Sequence, residues 1–244
     1  MKYIALDFDG TLTDKNHIID LDALWSATMI QRMGIDVFMV SGRTAYEMYF
    51  LAKHTGLKPF VIGENGGVAI ENSPSNVTKL AEKTIPLKAF ELIKNEIDET
   101  EELLTIPRLT EVVLKRTFDI NRAIDIVRKN NLEVDLTDSK YSYHITEKGM
   151  NKAIGFKHII NKLNIDPKDC IAIGDSNTDI PLFDMCGYSI TMGHAEDNVK
   201  ERADYITNSE MAKGAIEAFD HIADKFLKKN IDDTRNWYLK NINQ

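Results

Sequence analysis

Short apolar runs and longer amphipathic stretches take turns along the chain up to Glu71. Residues 3–6, 36–40 and 59–62 have the length and apolar content of buried strands. Between the first two, residues 21–33 are spaced as a helix that closes at Gly34. A second helix is predicted over 44–54 and closes at Gly56, glycine being the residue that ends a helix most cheaply. Strand and helix in alternation predict an α/β fold, a doubly wound parallel sheet with crossover helices.

The rhythm breaks after Glu71. Residues 72–79 (N-S-P-S-N-V-T-K) are polar and turn-rich, so they are expected to be a loop leading out of the first domain. A helix over 86–97 follows, with Pro86 in its first turn, then a strand over 111–115 and a helix over 121–129. Two further strands, 132–136 and 141–146, flank the turn residues Asp138 and Ser139 and read as a hairpin. On the second, Tyr141, Tyr143 and Ile145 share one face, and Ser142 and His144 the other. This stretch is α+β in character and reads as an inserted module. From 151 the strand–helix rhythm returns, with a helix to 163, a buried strand over 170–173 that ends at Gly174-Asp175, and a short helix. Strands over 188–191 and 205–206 and a helix over 211–227 complete it. Residues 232–244 read as an extra helix whose Trp237 and Tyr238 dock on the core or on a partner subunit. The expected division is therefore 1–80 and 150–244 for the core, with 81–149 inserted.

Composition narrows the function. The 244 residues are 43% apolar, enough for a large core. No apolar run is long enough to span a bilayer, and Asp7 comes too early for a secretory leader, so a cytoplasmic protein with no membrane partner is expected. Cys170 and Cys186 lack C-x-x-C spacing and read as core thiols of a reducing compartment. The net charge is −8 without a basic stripe, which argues against nucleic acid as a partner. An acidic protein that acts on an anion needs a metal or a few well-placed cations.

The chemistry lies where strands end. Asp7 and Asp9 close the first strand in A-L-D-F-D-G-T-L-T, and Asp175 closes a later one, with Asp179 four residues on. Ser41 ends the second strand in V-S-G-R. Open parallel sheets bind ligands beyond these ends. Clustered carboxylates repel one another unless a cation joins them, and Mg²⁺ prefers oxygen ligands. One carboxylate can attack phosphorus, and a second can serve as acid and then as base. Gly10 permits the turn, and the Thr11 hydroxyl can bond a carboxylate or phosphate oxygen.

D-F-D-G-T (Asp7 to Thr11) resembles the first motif of the haloacid dehalogenase-like phosphohydrolases. S-G-R (Ser41 to Arg43) resembles the second motif, Lys152 in E-K-G-M-N-K the third, and G-D-S-N-T-D (Gly174 to Asp179) the fourth. The insertion between the second and third motifs, and E-N-G-G (Glu64 to Gly67), are similar to the Cof-like branch of that superfamily. The run Tyr143 to Lys152 looks most like the archaeal phosphoglycolate phosphatases. The resemblance implies a Rossmann-like core with an α+β cap domain. It also implies Asp7 as nucleophile, Asp9 as acid and base, and Mg²⁺ on Asp7, the Asp9 carbonyl, Asp175 and Asp179. Lys152, Ser41, Gly42, Arg43, Thr11 and Asn65 are the implied substrate contacts. A homodimer is implied too. Thr178 departs from the asparagine common in relatives, so the fine shape of the phosphate site is open.

The expected activity is Mg²⁺-dependent hydrolysis of a small phosphorylated metabolite, 2-phosphoglycolate first. A sugar-phosphate phosphatase is the alternative, followed by a phosphomutase and a phospho-accepting signalling module. Specificity is expected in the cap, where Lys115, Arg116, Tyr143 and His144 lie on or beside strands that can face the core. His144 itself reads as a surface or packed histidine rather than a ligand.

Overall fold

The computed structural model describes residues 1–103 and 106–241. Along the chain run β1 (Tyr3–Leu6), α1 (Leu21–Arg32), β2 (Asp36–Met39), α2 (Ala45–Thr55) and β3 (Phe60–Gly63). β4 (Val68–Glu71), β5 (Ser73–Lys79), α3 (Thr84–Glu96), β6 (Val112–Leu114) and α4 (Ile120–Lys129) come next. Then follow β7 (Val134–Asp138), β8 (Tyr143–Glu147), α5 (Lys152–Lys162), β9 (Cys170–Gly174) and α6 (Ile180–Met185). β10 (Tyr188–Thr191), α7 (Asp197–Lys200), β11 (Tyr205–Ile206), α8 (Met211–Ile222) and α9 (Ile231–Asn241) end the described chain.

The main sheet is parallel throughout, in the order β11-β10-β9-β1-β2. The chain leaves β1 for β2 on one side and later returns to β9 on the other. Strand order therefore reverses at β1, and the crevice beyond its C-terminal end is where such sheets bind ligands. Both faces are covered, which is why these strands read as near-continuous apolar runs. Ile4, Leu6, Val37, Met39, Ile171 and Ile173 pack toward α1, α2 and α8. Their neighbours Ala5, Phe38, Val40 and Ala172 pack toward α5 and α6.

Local chemistry sets the helix ends. The Asp20 carboxylate accepts the Asp22 and Ala23 N–H groups at the start of α1. Thr44 and Glu47 form a reciprocal capping box on α2, which closes at left-handed Gly56.

Two expectations need correction. The strand expected over 59–62 does not extend the parallel set as a full member. β3 touches it through the Val40–Ile62 bridge and pairs antiparallel with β4. Residues 72–79, expected as a loop, contain β5, which pairs antiparallel with β4 across a register shift. β5 is an edge strand whose side chains are half-buried or exposed, so its polarity matches that of a loop. Pro74 is tolerated on such an edge.

The insertion forms a separate antiparallel sheet in the order β6-β8-β7, with α3 and α4 packed on one face through Phe90, Ile93, Ile126, Tyr143 and Ile145. The fold is thus a Rossmann-like α/β core with an α+β cap. β8 alternates as its sequence indicates, with Tyr143 and Ile145 in the cap core and His144 turned to the other side. Tyr141, however, expected on the Tyr143 face, precedes the strand; it is exposed and lines the cleft with Ser142, its ring 4.7 Å from that of His17. The helix expected in the tail is α9, but the side chains of Trp237 and Tyr238 lie outside the described residues. Cys170 is buried and Cys186 half-buried, both as free thiols. Among the described residues, no helix is long and apolar enough to cross a membrane.

Candidate active site

β1, β2 and β9 end side by side, and the residues just past them line one cleft of about 410 Å³: Asp7, Ser41 and Asp175. Gly10 has φ +74°, and a Cβ there would lie 2.4 Å from Asp175 Oδ2, so the turn after β1 needs glycine on both counts. Lys152 enters from the first residue of α5, which Asn151 caps. Its Nζ donates to Asp7 Oδ1 at 2.7 Å and to Asp179 Oδ1 at 2.8 Å, with 3% of the side chain exposed. Burial opposes the Lys152 charge, but Asp179 and Asp7 outweigh it and hold the ammonium protonated well above its ordinary range.

Asp7, Asp175 and Asp179 each bring a carboxylate oxygen within 4.8 Å of the others. The Asp7 carboxyl is pushed well above its ordinary value, by burial first and then by the charges of Asp179 and Asp175, against the pull of Lys152. Three carboxylates against one ammonium leave an excess of negative charge that a hard divalent cation offsets, and the donor set is all oxygen. The residues fit a Mg²⁺-like ion.

The supports are local. Asp179 Oδ2 accepts the Ser176 N–H at 3.1 Å and its hydroxyl at 2.9 Å. The Thr178 hydroxyl lies 2.8 Å from Ser176 Oγ, so at this position it braces the same turn. His194 Nδ1 accepts the Met211 N–H at 3.1 Å, which places the ring proton on Nε2, 3.2 Å from Asp175 Oδ2. Nothing in the local sequence marks His194. Only the fold brings it across from the loop after β10.

The Asp9 carboxylate stands apart from the other three. Arg43 grips it in a fork at 2.8 and 2.7 Å, and His17 Nδ1 is 3.4 Å away. Ser41 is 1% exposed, and its Oγ accepts the Arg43 N–H at 3.1 Å. Gly42 lines the cleft and packs against the Asn65 side chain. Thr11 is fully buried, and its hydroxyl has no hydrogen-bond partner among the described residues.

Asn65 joins core to cap. It sits in left-handed backbone at φ +52°, its N–H reaches Ser41 O, and its Nδ2 donates to Glu111 Oε2 at 3.1 Å. The preceding Glu64 accepts the N–H groups of Leu109 and Thr110 at 2.9 and 2.8 Å. Of the four cap candidates, only His144 lines the cleft, and it is packed rather than on the surface. Lys115 pairs with Glu101 and Arg116 with Asp138, while the Tyr143 hydroxyl donates to Phe118 O inside the cap. Glu111 and Arg108 were not singled out from the sequence, because no short motif contains them.

The sequence matches the family model described as haloacid dehalogenase-like hydrolase over residues 4–135 and 93–219. A Nitrosopumilus maritimus protein named phosphoglycolate phosphatase is 40% identical over 220 residues, 90% of this chain and 95% of that one. A Methanothrix thermoacetophila protein of the same name is 32% identical over 219 residues, 90% of this chain and 96% of that one. Among solved structures, a Thermoplasma acidophilum protein superposes with a TM-score of 0.81 at 24% identity, covering 91% of this chain and 97% of that one. A subclass IIB sugar phosphatase superposes at 0.74 and 17% identity, covering 91% and 99%. These two structures speak to the fold alone.

Proposed function

This chain belongs to the haloacid dehalogenase-like hydrolases, and on that footing we propose that it is a Mg²⁺-dependent phosphatase of a small phosphorylated metabolite, 2-phosphoglycolate first. The observation that carries the reading is the buried Lys152 held between Asp7 and Asp179, with Asp175 completing the carboxylate group.

Asp7, Asp175, Asp179 and the main-chain carbonyl of Asp9 would hold Mg²⁺, which when bound offsets the charge between a carboxylate nucleophile and a phosphate. Asp7 attacks phosphorus and forms an aspartyl-phosphate. Asp9 gives a proton to the leaving oxygen and takes one from the water that then attacks, with Arg43 orienting its carboxylate. Ser41, Lys152 and the main chain at Gly42 hold the phosphoryl oxygens, while Arg43, Thr11 and Asn65 shape their surroundings. Residues 1–80 and 150–244 serve as the catalytic core and 81–149 as the cap, which the separate apolar cluster of α3, α4 and the β6-β8-β7 sheet supports.

The substrate rests on the names of relatives that align with nearly the whole chain, and on a cleft near the small end of the ~300–1,000 Å³ range of ligand pockets. The test is phosphate release from a panel that holds 2-phosphoglycolate and several sugar phosphates, with Mg²⁺, with chelator, and with Asp7→Asn as background. The expected result is metal-dependent release with a preference for 2-phosphoglycolate. Preference for a sugar phosphate would keep the chemistry and replace the substrate. Release that persists with chelator would overturn the metal.

A further inference from the structure

Opposite the core carboxylates, the cap carries a buried ionic cluster for which the proposed phosphoryl chemistry has no use. The Glu111 side chain is fully buried. Its Oε1 receives Arg108 Nη1, and its Oε2 receives Asn65 Nδ2 at 3.1 Å and His144 Nδ1 at 3.0 Å. Burial alone would drive this carboxyl up, but His144, Arg108 and Asn65 outweigh it and hold it below its ordinary value. A buried carboxylate costs several kcal/mol unless it is fully partnered, so its presence calls for a reason beyond stability.

The reason lies in what Glu111 holds in place. With Nδ1 bonded to Glu111, the His144 ring turns Nε2 to Ser142 Oγ at 3.0 Å and Ser139 Oγ at 3.3 Å. Arg108 uses Nη1 for both Glu111 and Gly42 O, and its Nη2 and Nε make no hydrogen bond among the described residues. Arg108, His144, Ser139 and Ser142 all line the cleft. The other basic side chains of the cleft are placed differently. Arg43 is taken by Asp9, Lys152 by Asp7 and Asp179, and Lys140 by Glu196, while Lys15 is exposed at the rim.

A hydroxyl, an imidazole and a carboxylate in a row also serve acyl hydrolases, but those need main-chain N–H groups aimed at an oxyanion. The Ser142 N–H is spent on Ser139 Oγ at 3.2 Å, so here the row orients rather than attacks.

We propose that Arg108, held in position by Glu111, forms an anion subsite on the cap wall, beside the Ser139 and Ser142 hydroxyls that His144 orients, and takes the carboxylate of a phosphorylated hydroxy acid. This deepens the phosphatase reading and rests on it. A guanidinium with spare N–H groups suits a carboxylate, which accepts such donors as a fork. Asn65 ties the subsite to Ser41, so both ends of a short substrate are measured from one loop.

The test compares 2-phosphoglycolate with ethyl phosphate, an ester of similar size without the carboxylate, on the full chain with Mg²⁺. Wild type, Arg108→Gln and Glu111→Gln are measured. The ratio of kcat/KM between the two esters is expected to fall at least about tenfold in both variants, as for loss of one charge-assisted contact. Most of that fall should come from weaker binding of the carboxylate ester, seen as a raised KM. If Glu111→Gln does not fold, Arg108→Gln carries the test alone. A wild type that prefers 2-phosphoglycolate, with variants that keep the preference or lose both esters equally, overturns the subsite alone. A wild type without preference overturns the substrate reading and the subsite together.

Discussion

The two walls of the cleft are built by different means. On the core wall, Asp7, Ser41 and Asp175 follow the ends of neighbouring parallel strands, so one hydrogen-bonded sheet fixes their spacing. On the cap wall, Glu111, His144 and Arg108 are referred to the core by side-chain contacts. Glu64 holds Leu109 and Thr110, Asn65 reaches Glu111, Arg108 reaches Gly42 O, and Lys140 pairs with Glu196. The difference separates two jobs. A reacting constellation tolerates little displacement and is set by backbone. A recognition surface can change residue by residue without disturbing the sheet.

The largest expected effect breaks the core wall. Asp7→Asn should lower turnover by at least about 10⁴-fold, as for loss of a nucleophile, with thermal unfolding still cooperative. Substantial residual activity would remove Asp7 from that role. Asp9→Asn should cost about 10²–10⁴-fold in kcat, the usual worth of a general acid or base. An unchanged rate would exclude proton transfer by Asp9. Lys152→Met leaves Asp7 and Asp179 buried together without their ammonium. In chelator it should lose about 3–5 kcal/mol in urea unfolding, and added Mg²⁺ should recover part of that loss. No recovery would argue against the cation site.

A smaller effect addresses the junction. Glu64→Gln weakens the acceptor of two main-chain N–H groups, so amide exchange at Leu109 and Thr110 should accelerate while β1 and β9 stay protected. Equal acceleration in β1 would mean that the walls are not separately held. The smallest concerns acid. Burial pushes the Glu71 carboxyl up, but Lys162 and His158 outweigh it, so its folded value lies below the ordinary one. Its contribution is therefore present above the unfolded value of about 4.3 and is lost as pH falls through the folded value. Glu71→Gln should flatten stability against pH in that acid window and leave ester selectivity unchanged, because the contact pins β4 to α5 outside the cleft.

What could be read in advance follows the same division. The core strands bury both faces, so their apolar runs identified the parallel sheet, and two short motifs carried the clustered carboxylates. Alternation set His144 opposite Tyr143 and Ile145 correctly, but it failed for Tyr141, because the strand begins only at Tyr143 and the turn before it sends Tyr141 to the cleft. β5 was missed because an exposed edge strand has the polarity of a loop. Glu111 and His144 meet Asn65 across 46 and 79 residues of sequence, and no local pattern encodes such a meeting. Arg108 escaped for the same reason, while Lys115 and Arg116 drew attention by type and proved to be paired at the cap surface. His194 reaches Asp175 only because β10 lies beside β9.

The most direct test is to mix the Asp9→Asn variant with Mg²⁺ and an aryl phosphate labelled on phosphorus, to quench in acid and then to map the label. The leaving oxygen of such an ester needs no proton, so only breakdown is slowed. Label is expected on the peptide that contains Asp7, and none when Asp7→Asn is added to the same protein. Label absent from the protein while phosphate is still released would contradict attack by Asp7 and point to direct attack by water.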